Sequence, residues 1–141
     1  MSHKRLYRFA GFTLLELLVV LVILGLLVGY VAPRYFSQVG KSEVKVARAQ
    51  VKALEDALDQ YRLDMGFYPT TEQGLSALNE APAGENRWQG PYLRKAVPND
   101  PWGRAYQYES PGQHGEYDIW SYGRDGQAGG SGEDADSTSW Q

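Results

Sequence analysis

The chain has 141 residues, enough for one small domain, and 43% of them are hydrophobic. It contains no cysteine, so no disulfide is available to stabilise it in an oxidising compartment. Its formal net charge of -3 argues against nucleic acid as the partner, because phosphate backbones are bound by basic surfaces.

A short basic segment, residues 1–11, precedes an apolar run that carries no charge over residues 17–32. This order is typical of a secretory signal, but an ordinary signal peptide is cut after its apolar core. The far end of this run offers no clean pattern of small residues, so we expect the cleavage site before the run instead. Gly11 is the candidate. Cleavage there would keep residues 12–33, about the twenty residues that one membrane span requires.

The junction Gly11–Glu16 places a lone carboxylate at the entrance of the apolar run. Such a charge costs roughly 2.5 to 3.5 kcal/mol at the centre of a membrane helix and less near the interface, so it calls for a partner. One reading is that Glu16 merely extends to the lipid headgroups near Arg8. The junction, however, resembles the class III signal of type IV pilins and pseudopilins. That resemblance implies that prepilin peptidase cuts after Gly11 and methylates Phe12, and that Glu16 pairs with the new amine, its own or a neighbour's, during filament assembly.

Three helix-weakening residues lie in or directly after the expected span: Gly25, Gly29 and Pro33. In a membrane such residues permit close helix approach or a local break. Pro33 is equally compatible with a kink in one continuous helix at the bilayer surface. By resemblance to related filaments, Gly25 and Pro33 are candidate flexible points.

Beyond Pro33 the apolar residues recur at alternating spacings of three and four, which predicts an amphipathic helix. Its apolar face comprises Val44, Ala47, Val51, Leu54, Leu58 and Tyr61. The helix should end near Gly66, ahead of Pro69. We expect residues 12–64 to form one helix whose lower half spans the membrane and whose upper half supports a head. A dimeric coiled coil is the alternative, but the stripe lasts only about three heptads.

The residues after this helix predict a second, short helix. Thr70 and Gln73 have the spacing of a capping box, with Thr70 as the N-cap, so a short helix should run from there to about Asn79. Residues 81–90 are rich in Pro, Gly and polar side chains, which indicates a loop.

Two aromatic, β-prone segments follow, residues 105–109 and 116–121, and residues 110–115 between them form a turn. They should pair as an antiparallel hairpin. A small sheet that packs on the upper half of the long helix gives both elements a face to bury. The predicted fold is therefore α+β, a long N-terminal helix packed against a small antiparallel sheet, with a head over residues 34–141.

Three motifs in the head occur in a recognisable order: Tyr68–Leu75, Asp100–Gly103, and Gly115–Asp118 leading to Ser121–Gly126. They resemble the major pseudopilin (protein G) family of the type II secretion system, within the type IV pilin-like superfamily. The resemblance runs from Gly11 to Trp140, apart from the uninformative loop at residues 81–87. It implies a type IV pilin-like fold and the role of major structural subunit of the pseudopilus, the filament that drives export of folded proteins across the outer membrane.

The same resemblance implies where the chain lies and what it contacts. It predicts a single-pass inner-membrane protein with its leader in the cytoplasm and its head in the periplasm, which later joins the periplasmic pseudopilus. The implied partners are copies of itself, minor pseudopilins, prepilin peptidase, the inner-membrane assembly platform and, before assembly, membrane lipid. Basic residues flank the apolar run on both sides, so the positive-inside rule alone leaves the orientation ambiguous.

The C-terminal segment holds the chain's only candidate for metal chemistry. Its acidic residues stand among several glycines: Asp125, Glu133, Asp134 and Asp136. Hard oxygen ligands in a tightly folded loop suit Ca²⁺, although the spacing is not that of an EF-hand. A solvated acidic turn is the alternative.

The family resemblance favours Ca²⁺ in this loop, bound through acidic side chains and backbone carbonyls. It assigns Asp125 as a ligand, with Asp134 and Asp136 as the further candidates. Carbonyl or hydroxyl oxygens would come from three other residues: Ser121, Tyr122 and Ala128. The bound ion would stabilise a head that has no disulfide.

The sequence does not predict an enzyme. His3 lies in the leader and His114 in the hairpin turn, so no His-containing triad or zinc set is expected. Asp100 and Asp118 are interpreted as turn and strand residues. Two other functions remain open. A type IV pilin for adhesion, motility or DNA uptake would usually carry a Cys-closed loop, and a monomeric membrane-anchored binding domain would use an aromatic surface. The four tryptophans are instead expected to close the core.

Overall fold

The computed structural model describes residues 10–141, so most of the predicted leader lies outside the described residues. The chain forms two compact units that divide between Gln38 and Val39, and the second unit, Val39–Gln141, is called the head below. The elements are helix α1 (Leu14–Met65), two 3₁₀ helices (Leu75–Leu78 and Gly132–Asp134), and strands β1 (Gln107–Glu109), β2 (Asp118–Ser121) and β3 (Ser137–Thr138).

In the first unit α1 is apolar and exposed. Its side chains between Leu14 and Val31 include a long series of large hydrophobic residues, and all of them are exposed. Within residues 10–141, α1 is the one helix long and apolar enough to cross a membrane. Pro33 lies inside α1, which continues through it, so of the two predicted possibilities the structure has the uninterrupted helix. An exposed apolar surface of this size requires lipid or other protein to cover it.

In the head, α1 buries one face. The predicted apolar stripe is confirmed from Ala47 onward, although Val44 is only half-buried. The buried residues of α1 are Gly40, Ala47, Val51, Leu54, Ala57, Leu58, Tyr61 and Met65. Gly66, with a φ of 88°, directly follows the last helical residue, as the sequence predicts. The 3.6-residue period therefore locates the buried face, and Gly66 locates the end of the helix.

The sheet has three strands in the order β1-β2-β3, all antiparallel. β1 and β2 form the predicted hairpin, with Gln107 opposite Trp120 and Glu109 opposite Asp118. β3 was not predicted. It comprises two residues, too few to show an alternating pattern, and pairs with the far edge of β2. Ile119 of β2 packs with Leu75 and Leu78 in the same core cluster as the buried face of α1. The predicted α+β class is confirmed.

The capping box is present, but the helix predicted to follow it is not. The Thr70 N–H donates to Gln73 Oε1 over 3.0 Å, and the Gln73 N–H donates to Thr70 Oγ1 over 3.2 Å. The predicted helix to about Asn79 is wrong, because only Leu75–Leu78 are helical and they form a 3₁₀ turn. Gly74, with a φ of 63°, separates the box from this turn. The box therefore stabilises a tight turn instead of an α-helix.

Tyrosines, not tryptophans, complete the core. Of the four tryptophans only Trp88 packs against the core cluster, and Trp140 is 41% exposed, so the expectation that they close the core is wrong. Tyr61 and Tyr106 are buried. The Tyr108 hydroxyl donates to the carbonyl oxygen of Pro69 over 2.7 Å, and burial raises the pKa of Tyr108 to about 12. Tyr108 thus buries its ring and still satisfies its hydroxyl, whereas the buried Tyr61 hydroxyl has no hydrogen-bond partner among the described residues.

Candidate functional site

The first candidate site is the start of α1. Gly11 and Phe12 precede the helix and are exposed. The Glu16 N–H donates to Thr13 Oγ1 over 3.1 Å, and the Thr13 N–H lies 3.5 Å from Glu16 Oε2. This reciprocal pair is a capping box, which the sequence reasoning missed although Thr and Glu stand at the required spacing of three. The box turns the Glu16 carboxylate back toward the start of the helix.

This geometry explains how a carboxylate is tolerated beside an apolar run. Glu16 lies in the first turn of α1, where unpaired N–H groups and the helix dipole favour negative charge. Among residues 10–141 no basic side chain forms an ion pair with Glu16. Arg8, the partner in the alternative interpretation, lies outside the described residues. The capping contact is thus the intrachain role of Glu16 within the described part of the chain.

The second candidate site is the segment at residues 122–136, called the acidic loop below. Its two ends are held together by backbone contacts. The Arg124 N–H donates to the carbonyl oxygen of Glu133 over 3.1 Å. At Gly123, with a φ of 69°, a Cβ would lie 2.7 Å from the carbonyl oxygens of Asp134 and Ala135. Only glycine fits this approach, which closes the base of the loop.

Two of the predicted metal ligands organise the tip of the acidic loop. Asp125 Oδ1 accepts a hydrogen bond from the Gln127 N–H over 3.1 Å, and Asp136 Oδ2 accepts one from the Gly129 N–H over 2.9 Å. The other oxygen of Asp136 is buried and has no hydrogen-bond partner. A buried carboxylate oxygen without a donor is costly, and a cation or a water molecule at that oxygen would remove the cost.

Asp134, the third predicted acidic ligand, is engaged elsewhere. Its Oδ1 accepts a hydrogen bond from Arg124 Nε over 3.0 Å, and Glu133 pairs with the same guanidinium. The hydrogen bond and the charge of Asp134, followed by the charge of Glu133, raise the pKa of Arg124 above its ordinary value. The structure therefore brings Asp134 to an arginine, while Asp125 and Asp136 hold the loop tip.

Hydrogen bonds connect the Asp100 motif to the start of the acidic loop. Buried Asp100 accepts hydrogen bonds from the N–H groups of Trp102 and Arg104 and from the Ser121 hydroxyl, the last over 2.6 Å. The Ser121 hydroxyl, predicted as a possible ligand, is thus committed to Asp100. Arg104 Nη1 in turn donates to the carbonyl oxygen of Gly123 over 2.9 Å. These hydrogen bonds hold the turn that begins at Asp100 against the end of β2.

The remaining predicted ligands stand apart from these contacts. Tyr122 packs edge-to-face on Trp120, and Ala128 is exposed at the loop tip. Within residues 10–141 no three His, Cys, Asp or Glu side chains converge on a common point as metal ligands would. The calcium set therefore remains a prediction.

Asp118 stabilises the turn between β1 and β2. Its carboxylate is 2% exposed, accepts a hydrogen bond from the Gln113 N–H over 2.9 Å and contacts His114 Nδ1 at 2.9 Å. Burial by itself raises the pKa of Asp118, but the hydrogen bonds from His114 and Gln113 bring it below its ordinary value. The interpretation of Asp118 as a strand residue is confirmed, because it begins β2.

The closure of the acidic loop predicts different costs for two glycine substitutions. Gly129→Ala should destabilise the protein by about 1 kcal/mol, because its φ is 88° but no atom lies within 4 Å of the added Cβ. Gly123→Ala should cost about twice as much, roughly 2 kcal/mol, because the Cβ also meets two backbone carbonyls that cannot rotate away. Chemical unfolding of the detergent-solubilised chain measures both. Equal costs would mean that the base of the loop opens freely.

The comparisons with known proteins cover nearly the whole chain. A family model described as type II secretion system (T2SS), protein G, matches residues 34–140, and one described as the prokaryotic N-terminal methylation motif matches residues 6–32. The type II secretion system core protein G of Pseudomonas aeruginosa is 46% identical over 134 residues, which cover 93% of this chain and 94% of that protein. The protein of the same name from Vibrio cholerae is 45% identical over 140 residues, 97% of this chain and 95% of the relative.

A solved structure also matches. The crystal structure of the major pseudopilin from the type 2 secretion system of enterohaemorrhagic Escherichia coli aligns with a TM-score of 0.59 at 40% sequence identity. The alignment covers 71% of this chain and 88% of that one. The likeness therefore extends from sequence to fold.

Proposed function

This chain belongs to the protein G family of the type II secretion system, and it is similar in fold to a solved major pseudopilin. We therefore propose that it is cut after Gly11, methylated on Phe12 and polymerised through α1 into a periplasmic pseudopilus. The observation that carries this conclusion is the succession of two matches, the methylation motif over residues 6–32 and the protein G model over residues 34–140. The role is structural, as the major subunit of a secretion filament.

The exposed apolar part of α1 supports polymerisation. Its large hydrophobic side chains are exposed in the described chain, and Leu14 and Leu26 are among the most exposed. Membrane lipid covers such a surface before assembly, and the same surfaces of neighbouring subunits cover it in a filament. The same helix would therefore anchor the subunit in the membrane before assembly and pack against neighbouring subunits in the filament.

Glu16 supplies the polar contact in this otherwise apolar assembly. Cleavage after Gly11 creates an amine on Phe12, and the capping box with Thr13 keeps the Glu16 carboxylate at the same end of α1. A charged amine and a carboxylate that pair between neighbouring chains remove the cost of leaving either alone in a low-dielectric environment. The pair would also set the axial position of each incoming subunit.

Ca²⁺ binding by the acidic loop is the second part of the proposal. The buried oxygen of Asp136 that lacks a hydrogen-bond partner fits a hard cation, and Asp125 accepts a hydrogen bond from Gln127 in the same loop. Asp134 would join only after it left Arg124. Backbone carbonyls of the loop, with those of Tyr122 and Ala128 as candidates, would complete the oxygen set. The bound ion would crosslink the two ends of the loop.

The family match decides among the functions that the sequence left open. The protein G model matches residues 34–140, which include all of the head except its last residue, and so favours a pseudopilin over a type IV pilin for adhesion, motility or DNA uptake. The same match speaks against a monomeric binding domain. Minor pseudopilins, the prepilin peptidase and the inner-membrane assembly platform follow as proposed partners, with the head in the periplasm.

Mass spectrometry of the mature protein tests the processing step. Purified from cells that contain a prepilin peptidase, the chain should begin at Phe12 and carry one added methyl group on its amine. Cells that lack the peptidase provide the control and should yield the uncut chain. An amino terminus beyond the apolar run would instead indicate an ordinary signal peptide and remove the basis for assembly through α1.

A further inference from the structure

Arg124 is the centre of the ion pairs in the acidic loop. Its Nε and Nη1 atoms contact Asp134 and Glu133, which lie ten and nine residues further along the chain. Its own N–H also donates to the carbonyl oxygen of Glu133. A planar guanidinium that contacts two carboxylates holds a loop of this length in one geometry, which a lysine cannot do.

The pairing extends from the loop to the long helix. The carboxylate of Glu133 lies against Gly40 of α1, where a Cβ would stand only 1.9 Å from its Cδ atom. Gly40 is buried beneath this contact. Arg124 therefore holds the Glu133 side chain in place, and Glu133 holds the 3₁₀ turn Gly132–Asp134 against α1.

The backbone of Arg124 is held from the opposite side as well. Arg104 donates to the carbonyl oxygens of Gly123 and Arg124, at 2.9 and 3.3 Å. Arg104 forms no ion pair with the acidic residues of the loop. Within the described residues Arg124 is thus the one basic side chain that neutralises loop carboxylates.

We propose that Arg124 is the internal counter-cation of the acidic loop: it keeps the loop closed and seated on α1 without metal, and it lowers the affinity of the loop for Ca²⁺. The second half rests on the calcium binding proposed above, whereas the first half does not. Arg124 occupies Asp134, one of the candidate ligands, and its positive charge repels a divalent cation held a few ångströms away. The loop consequently has two closed forms, one held by arginine and one by metal.

Hydrogen exchange in excess chelator tests the first half with the full-length chain in detergent. Arg124→Gln should increase amide exchange in peptides that span residues 122–136 and lower the melting temperature by a few degrees. Arg94→Gln is the matched control, because it removes the same charge from an exposed residue of the head that forms no ion pair in the described structure. Arg124→Lys should lie between wild type and Arg124→Gln. Exchange in Arg124→Gln equal to that in the control would overturn the proposal.

Calorimetric titration with CaCl₂ tests the second half. Arg124→Gln should bind Ca²⁺ roughly fivefold more tightly than wild type, and Arg94→Gln should not differ from wild type. Weaker or unchanged binding in Arg124→Gln would overturn this half. If no variant binds Ca²⁺ but the exchange difference persists, the calcium site is wrong and the arginine closure stands. Should Arg124→Gln fail to fold, Glu133→Gln opens one of the two ion pairs and is expected to show the same increase in loop exchange.

Discussion

Replacing Glu16 with Ala should abolish filament assembly while cleavage after Gly11 and membrane insertion persist. The substitution removes an unusual charge from an apolar segment, so insertion becomes easier. Assembly should fail because the Phe12 amine of each neighbouring chain is left without its carboxylate in a low-dielectric environment. Breaking one such pair corresponds to a loss of roughly a hundredfold or more per added subunit. Sheared filaments, quantified against membrane-bound subunit, measure the effect.

Glu16→Gln separates the two roles of this side chain. Glutamine at the third position of a helix can still accept the Thr13 N–H, so the capping box survives and only the charge is lost. We therefore expect Glu16→Gln to be as defective as Glu16→Ala. Normal filaments from the Gln variant would show that the cap, and not the ion pair, is what assembly requires. The mature amino terminus of each variant should be checked for cleavage and methylation, so that a processing defect is not mistaken for an assembly defect.

Removing Ca²⁺ should lower the melting temperature of the head by about ten degrees or more. One site at a hundredfold excess of ligand over its dissociation constant adds about 2.7 kcal/mol, and each kcal/mol shifts the melting of a domain of this size by about 4 to 8 °C. The shift is expected to vanish in Asp125→Ala. Melting of the detergent-solubilised chain, followed by near-ultraviolet circular dichroism with CaCl₂ and then with excess chelator, measures it.

Glu72→Ala is the matched control, because Glu72 is an exposed carboxylate of the head outside the acidic loop. Its calcium-dependent shift should equal that of wild type. Asp136→Ala should lose the shift as Asp125→Ala does, since the buried Asp136 oxygen without a hydrogen-bond partner is the one proposed to bind the ion. If the melting temperature of the wild-type chain does not change with Ca²⁺, the calcium prediction is wrong and the loop is a solvated acidic turn closed by Arg124 alone.

The predicted metal ligands show why side-chain contacts are harder to predict from sequence in a loop than in a helix. Asp125 and Asp136 each accept a hydrogen bond from the loop tip, from the N–H groups of Gln127 and Gly129. Asp134 and Ser121, chosen on the same pattern of acidic and polar residues, instead contact Arg124 and Asp100. Those partners lie ten and 21 residues away, and no periodicity relates them. Residue type indicates which side chains are able to bind a cation, but only the folded chain decides which of them already have a partner.

The sequence by itself determined the features that depend on neighbours along the chain. The uncharged run, the apolar stripe from Ala47 to Tyr61, the end of α1 at Met65 and the β1–β2 hairpin all follow from local spacing and turn residues, and all are confirmed. The capping box of Thr13 and Glu16 was equally readable, since its partners are three residues apart.

Only the tertiary structure decided what joins distant segments. β3 exists because residues 137–138 meet the free edge of β2, and two residues have no strand signal of their own. Glu133 reaches Gly40 across more than ninety positions, and the burial of one Asp136 oxygen is a property of the folded loop. Backbone hydrogen bonds within a helix or turn are set by residues a few places apart, whereas burial and ion pairing depend on which remote surfaces the folded chain brings together.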